Sequence, residues 1–315
     1  MRVLVTGASG LLGRAFMRIA ADMAHKQQCQ VLGLAFSRYD QYKDQFNLKK
    51  VDLCDKEQLR QLVLDFKPTV IIHSAAERNL NNCENNKEKT FNLNVSTTEY
   101  ISDLAKEVGA YILLISSDYV FDGTSPPYTP DAKTHPLSFY GETKRESEVV
   151  ALKSNPLNKI LRVPVLYGQV ENLKECSVTM VANQIINKKK EELVEIDNSQ
   201  IRYPTLVDNV ARVGYDLIGL GDVTNQLQGG IYHYTGNEKM TKYDMAKAMA
   251  SIIPSIVDTN TIKPLDNPPI TEPRPHDAQL DLTSTTEALQ HPLPQSSFKL
   301  EISSVFKLLN IQTSL

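Results

Sequence analysis

Through the first half of the chain, short apolar runs alternate with longer stretches in which apolar residues recur at helical spacing. Arg2–Val5 is a brief apolar strand that stops at Gly7. Leu11–Ala24 then places Leu12, Phe16, Ile19, Ala20 and Met23 at the spacing of an amphipathic helix. Val31–Phe36 reads as the second strand, and a third falls within Phe46–Leu53. Asp55 with Gln58 three residues on predicts a capping box, after which Leu59, Leu62, Val63 and Phe66 share one face. Lys67-Pro68 ends that helix, because proline has no N–H to continue the ladder. Thr69–Ser74 is an unbroken buried strand, a helical stretch runs to a C-cap at Gly109, and Tyr111–Ser117 is the fifth strand. Ser138–Leu152 is helical and Ile160–Leu166 a sixth strand.

Beyond Gly168 the pattern weakens. Helices are expected at Val178–Lys190, Asp208–Leu220 and Lys242–Ile253, and the six prolines between Pro254 and Pro275 predict an extended, irregular segment. Strand–helix alternation is the pattern of a parallel sheet. The expected fold is therefore α/β: a Rossmann-type doubly wound parallel sheet with a smaller C-terminal α/β lobe. Residues 1–168 form a dinucleotide-binding core; 169–315 form the substrate or partner lobe, interleaved with that core and packed on the carboxyl edge of the sheet.

Composition mainly excludes. With 41% hydrophobic and 23% charged residues the chain is ordinary for a globular protein, and a net charge of −3 gives no case for nucleic acid or an anionic membrane. The mixed run Lys188–Glu192 reads as a solvated helix end. Cys29, Cys54, Cys83 and Cys176 are far apart and form no CxxC pair, which favours free thiols in a reducing compartment. No metal site is expected, since the six histidines lack ligand spacing; His73, inside an apolar run, reads as a satisfied core residue. A strand follows Met1 at once, and there is neither a leader-like segment nor an apolar run of about 18 residues. The expected location is the cytoplasm.

The strongest local motif is Thr6-Gly7-Ala8-Ser9-Gly10-Leu11-Leu12-Gly13, lying between the first strand and the first helix. Gly7 permits the tight turn, Gly10 lets backbone approach a pyrophosphate, and Gly13 lets the helix lie close to the sheet. The helix N-terminus then offers free N–H groups and partial positive charge to the phosphates. At the end of the second strand an NAD-specific chain would place a carboxylate on the ribose 2′-hydroxyl. Here Phe36-Ser37-Arg38 supplies none, and Ser37 with Arg38 can donate to a 2′-phosphate, so the expected cofactor is NADP(H). Asp52 and Leu53 would flank the adenine, while Ser74, Ala75 and Ala76 are small where the cofactor passes closely.

Tyr140 and Lys144 make a Tyr-x-x-x-Lys pair on one helix face, with Ser116 and Ser117 ending the preceding strand. Ser117, Tyr140 and Lys144 are the candidate catalytic residues. Bringing a tyrosine hydroxyl from its usual value of roughly 10 to neutrality requires about 4 kcal/mol. An ammonium about 4 Å away contributes about that much at an effective dielectric near 20. The same two side chains can equally hold the nicotinamide ribose without any chemistry.

The glycine loop with Tyr140 and Lys144 resembles the extended short-chain dehydrogenase/reductase superfamily. Ser116–Gly123, Arg202–Thr205, Arg274-Pro275 and Leu280-Asp281 narrow the resemblance to the branch containing dTDP-4-dehydrorhamnose reductase. Within that branch Val3–Arg14, Ala75–Arg78, Tyr140–Lys144, Arg162–Gly168 and Gly236–Ala246 are most similar to the regulatory β subunits of methionine adenosyltransferase. The resemblance covers residues 1–282. It implies NADP contacts at Ser9, Gly10, Leu11, Leu12, Phe36, Ser37, Arg38, Asp52, Leu53, Ser74, Arg78, Tyr140 and Leu166. It also implies a hetero-oligomer with a methionine adenosyltransferase catalytic subunit.

The reductases carry Tyr-Thr after the Ala-Ala of the fourth strand and Ser-Trp-Tyr-Glu in the C-terminal lobe. This chain has Glu77-Arg78 and Thr241-Lys242-Tyr243-Asp244, and no tryptophan at all. The β subunits in turn end in a longer, more basic tail than Phe306–Leu315. Three functions remain open: an NADP(H)-binding regulatory subunit tuning S-adenosylmethionine synthesis, an NADPH-dependent reductase of a nucleotide-linked 4-keto-6-deoxy sugar, and a nucleotide-sensing scaffold with another partner.

Overall fold

The structure is a computed structural model of the chain and describes residues 1–24, 29–188, 192–220, 228–269 and 272–315. The side chain of Met23 and the expected helix end at Lys189, Lys190 and Glu191 lie outside the described residues. In chain order the strands are β1 (Arg2–Thr6), β2 (Gln30–Ala35), β3 (Leu48–Lys50), β4 (Val70–His73), β5 (Tyr111–Ser117), β6 (Lys159–Val163), β7 (Leu166–Tyr167), β8 (Val194–Asp197), β9 (Thr205–Leu206), β10 (Gly230–His233) and β11 (Ile262–Leu265). Seven form one sheet in the order β10-β6-β5-β4-β1-β2-β3, and every neighbouring pair runs parallel. The chain order reverses between β1 and β4. This is a doubly wound Rossmann-type α/β fold, as the alternation of strand and helix predicts.

Strand pleating decides the two faces. Val3 and Val5 join Phe16, Val210, Val213 and Tyr215 on one side, under the helices Leu11–Ala24 and Val207–Leu217. Leu4 points the other way, to Leu59, Val63, Ile101, Leu104 and Ala151 of the helices Lys56–Phe66, Thr97–Glu107 and Phe139–Ser154. With helices on both faces, β4 and β5 are buried along their whole length. A second core lies between the helices Ser177–Ile186, Lys242–Ile252 and Phe298–Leu308 and includes Val178, Ile185, Met249, Phe298 and Ile302.

Several boundaries differ from the sequence reading. The sixth strand ends at Val163 rather than Leu166, because Pro164 cannot donate to the ladder; Leu166-Tyr167 pairs instead with Thr205-Leu206. The third strand keeps only Leu48–Lys50 of its expected span. The helical stretch before Gly109 is broken into Leu80–Asn85, Lys87–Phe91, a π-helical turn Asn92–Ser96, and Thr97–Glu107. Hydroxyls add to the carbonyls of that wide turn: Thr97 Oγ1 donates to Asn92 O at 2.9 Å and Thr98 Oγ1 to Asn94 O at 2.6 Å. Asp55 accepts from Gln58 N as expected, but the Gln58 side chain accepts from Asp52 N instead of closing a capping box. The proline-rich segment holds β11, which accommodates Pro264 because it pairs with β8 alone in a two-stranded sheet. β10, from the weakly patterned half, is a sheet strand that the sequence did not suggest.

His73 is the satisfied core residue expected, 1% exposed. Thr98 spends its proton on Asn94 O, so it accepts from His73 Nε2 at 3.0 Å, and Thr6 Oγ1 donates to Nδ1 at 2.7 Å. Burial, reinforced by the nearby Lys144 charge, pushes the imidazole down from 6.5 to about 3. Below pH 6.5 the unfolded chain therefore holds a proton that the folded chain lacks, and stability falls as pH falls towards about 3. We expect His73→Gln to remove about 1.4 kcal/mol per pH unit from that slope, measured as the difference between urea unfolding curves of the two proteins from pH 6.5 to 5. Parallel slopes would contradict the assignment.

Candidate functional site

The glycine loop joins β1 to the Leu11–Ala24 helix at the carboxyl edge of the sheet, where the strand order reverses. Gly7 sits at φ +67°, and a Cβ there would stand 2.9 Å from the Ala75 backbone just past β4. Thr6 and Ser74 clamp the same junction, Ser74 Oγ donating to Thr6 O at 2.7 Å and Ala75 N to Thr6 Oγ1 at 3.3 Å. A Cβ on Gly13 would drive into the Gly7 carbonyl, so this glycine lets the helix close on its own loop. Gly10 differs. A Cβ there would meet only Gly7 O, at 3.1 Å, with nothing else within 4 Å. The first turn of the helix, with Leu11 partly and Leu12 fully buried, carries no acidic residue to offset its dipole. Ser9 is buried beneath the loop. These features fit a pyrophosphate at Gly10 and the helix N-terminus.

The other predicted binding residues rim the same edge. Phe36 and Ser37 are exposed after β2, and Arg38 follows them, half-buried. Arg38 Nη1 lies 2.8 Å from Glu175 Oε1 and 3.8 Å from Glu171 Oε2. Arg14, on the helix behind the loop, grips Glu175 at 2.7 and 3.0 Å and also donates to Ser9 O and Gln169 O. Both guanidinium groups lie over the Tyr42 ring, at 5.1 and 5.9 Å from its centre. Arg78, beyond β4, donates to Glu175 O at 2.8 Å. Asp52 accepts from Cys54 N at 2.9 Å, Leu53 is buried beside it, and Leu166 opens β7. Burial alone would raise the Glu175 carboxyl, but hydrogen bonds from Arg14 and Arg38 and from Glu171 N outweigh it and bring it down to about 2. Arg14 and Glu175 were not anticipated as part of the site.

Ser138 caps the helix that carries the Tyr-Lys pair, accepting from Gly141 N at 3.2 Å. Lys144 is buried and its ammonium donates to Ile115 O at 2.8 Å. Burial lowers it to about 8, with the Glu148 charge acting the other way. Tyr140 packs edge-on to Tyr119, ring centres 5.8 Å apart. Burial pushes its hydroxyl up; the hydrogen bond with Ser117 works against this and the Asp118 charge with it. Ser117 meanwhile donates to Asp118 Oδ1 at 3.0 Å. Desolvation raises the buried Asp118 carboxyl to about 6 despite the Arg202 charge. At Tyr140, then, burial outweighs the other influences and holds the hydroxyl above its ordinary value, while one donor of the Lys144 ammonium is engaged by the Ile115 carbonyl.

Asn94, missed from the sequence, braces the site from the π-helical turn. Its amide accepts from Glu77 N at 2.8 Å and donates to Glu77 O and Thr143 Oγ1 at 3.0 Å each. Ser116 donates to Glu148, whose carboxylate pairs bidentately with buried Arg162. Among the described residues no group of three or more His, Cys, Asp or Glu side chains is placed to hold a metal ion. No described helix is long and apolar enough to cross a membrane.

Comparison with known proteins places the chain. The family model for the RmlD substrate binding domain matches residues 1–310. Methionine adenosyltransferase 2 subunit beta of Xenopus laevis is 40% identical over 281 residues, 89% of this chain and 80% of that protein. The dTDP-4-dehydrorhamnose reductase of Aggregatibacter actinomycetemcomitans is 29% identical over 294 residues, 91% of this chain and 92% of the other. The solved structure of the Bacillus anthracis dTDP-4-dehydrorhamnose reductase in complex with NADP superposes with a TM-score of 0.77 at 22% identity, covering 98% of this chain and 99% of that one, which shows a shared fold. The chain belongs to the RmlD substrate binding domain family and, within it, to the methionine adenosyltransferase 2 subunit beta group.

The glycines should separate on substitution. Gly13→Ala should cost about 1–3 kcal/mol of stability in urea unfolding, because backbone has to move, whereas Gly10→Ala should stay within about 1 kcal/mol of wild type. Equal losses would mean that Gly10 is as tightly packed as Gly13.

Proposed function

We propose that this chain is an NADP(H)-binding regulatory subunit that associates with a methionine adenosyltransferase catalytic subunit and modulates S-adenosylmethionine synthesis. The observation that carries the reading is the likeness to beta subunits across 89% of the chain. The site supports it, since the groove has the parts to hold a dinucleotide and regulation asks no more of Tyr140 and Lys144 than to hold it.

In this reading Thr6, Gly7, Ser9, Gly10, Leu11, Leu12 and Gly13 receive the pyrophosphate, Ser37 and Arg38 the 2′-phosphate, and Phe36, Asp52 and Leu53 the adenosine. Ser74, Ala75, Arg78 and Leu166 line the passage towards the nicotinamide. Tyr140 and Lys144 hold its ribose. Bound NADP(H) would supply a hydride donor or acceptor, but regulation requires only that the nucleotide be held. Residues 1–168 act as the cofactor core and 169–315 as the lobe that meets the partner. Four free thiols fit a reducing compartment, and we place the protein in the cytoplasm. The alternative, an NADPH-dependent reductase of a nucleotide-linked 4-keto-6-deoxy sugar, draws on the presence of Ser117, Tyr140 and Lys144 together.

Calorimetry should show NADP+ bound at least about tenfold more tightly than NAD+, the difference a charge-assisted phosphate contact makes, and Arg38→Ala should erase it. Equal wild-type affinities would remove the case for NADP. Tyr140→Phe should weaken NADP+ binding by about 0.5–1.5 kcal/mol and leave the effect on a cognate synthetase unchanged at saturating NADP+. If the protein is a reductase, the same change should cut NADPH oxidation by about 100-fold or more.

A further inference from the structure

Arg38 stands where the adenosine 2′-phosphate should arrive, yet it already has an anion. Its Nη1 is 2.8 Å from Glu175 Oε1 and 3.8 Å from Glu171 Oε2. Glu175 comes from the C-terminal lobe, one residue before Cys176, which caps the Ser177–Ile186 helix. Its carboxylate is fixed in place: Arg14 holds both oxygens, Glu171 N donates to Oε2 at 2.9 Å, and Arg78 holds its main-chain oxygen. The two arginines are held unequally. The Arg14 side chain is 5% exposed and makes four hydrogen bonds, to Ser9, Gln169 and twice to Glu175. The Arg38 side chain is 31% exposed and makes one, to Glu175. Arg14–Glu175 is a buried strut; Arg38–Glu175 is the bond a ligand can exchange. A phosphate dianion brought beside Arg38 also meets two carboxylates, and like charges at that range repel.

We propose that Glu175, seconded by Glu171, is an internal competitor for the cofactor's 2′-phosphate: it pairs with Arg38 until the phosphate takes that guanidinium, and so sets how strongly the chain prefers a phosphorylated dinucleotide. The proposal rests on the reading that this groove binds NADP(H). It also makes a residue of the lobe, rather than of the nucleotide-binding core, a determinant of cofactor choice. An unphosphorylated dinucleotide has nothing to exchange with Glu175, so its binding should be indifferent to the carboxylate.

The test is calorimetric titration of NADP+ and of NAD+ into wild type, Glu175→Gln, Glu171→Gln and the double variant Glu175→Gln/Arg38→Ala. We expect Glu175→Gln to tighten NADP+ about tenfold, equivalent to about 1.4 kcal/mol, with NAD+ changed by less than about twofold. Glu171→Gln, a partly exposed position farther from Arg38, should tighten NADP+ about two- to threefold. The gain should vanish in the double variant. Unchanged or weaker NADP+ binding in both single variants overturns the proposal, weaker binding meaning that the carboxylates orient Arg38 for the phosphate. Should Glu175→Gln fail to fold, Glu171→Gln decides alone: tightening supports competition and no change overturns it. Wild-type titrations separate this from the underlying reading, because equal or absent binding of both cofactors there overturns the reading and the competition with it.

Discussion

The closeness of β1 and β4 at their carboxyl ends is the constraint on which the site depends. Thr6 lies level with His73 across that pair, and a Cβ on Gly7 would collide with the backbone of Ala75. Only glycine at φ +67° lets the chain turn there and start a helix pointing at the crevice. The hydroxyls of Thr6 and Thr98 lock the junction through His73, and Ser74 closes it from the other strand. Because the strand order reverses here, helices leave on opposite faces and the crevice between them stays open for a ligand.

Around this rigid junction, charge is arranged in two ways. Beside the helix that carries Tyr140, Glu148 and Arg162 neutralise each other in the core and anchor Ser116, while the Lys144 ammonium donates a hydrogen bond to a backbone carbonyl. Removing one member of such a pair leaves an uncompensated buried charge, which costs far more than the pair contributes. Beyond β2 the Arg38–Glu175 pair lies closer to solvent than the Arg14–Glu175 pair behind it, and there a partner can be exchanged. The first arrangement holds shape and the second can respond to a ligand.

Much of this was legible in the sequence because it is local. Strand–helix alternation, the three glycines and the Asp55 cap each need only a few neighbouring residues. What escaped was long-range. Glu175 meets Arg14 across 161 positions, and nothing near residue 175 marks it as part of a nucleotide groove. β10 is four residues long and is a strand only because β6 offers it an edge. Asn94 reads as an ordinary helical position, and its role depends on a π-helical turn that tertiary contacts with Glu77 and Thr143 hold open. Burial of Tyr140, which dominates its hydroxyl, is likewise invisible in the i,i+4 spacing. The i,i+4 spacing of Tyr140 and Lys144 was right, but the lysine's partner is a carbonyl on β5.

The central proposal is a regulatory subunit that holds its dinucleotide without hydride transfer. The most direct measurement is isotopic: incubate the chain, saturated with NADPH deuterated at the transferable position, with dTDP-4-dehydrorhamnose, and analyse the sugar by mass spectrometry. The account predicts that NADPH is bound and that no deuterium reaches the sugar over many hours. Deuterium at C4 of the recovered sugar, lost in Tyr140→Phe, would contradict it.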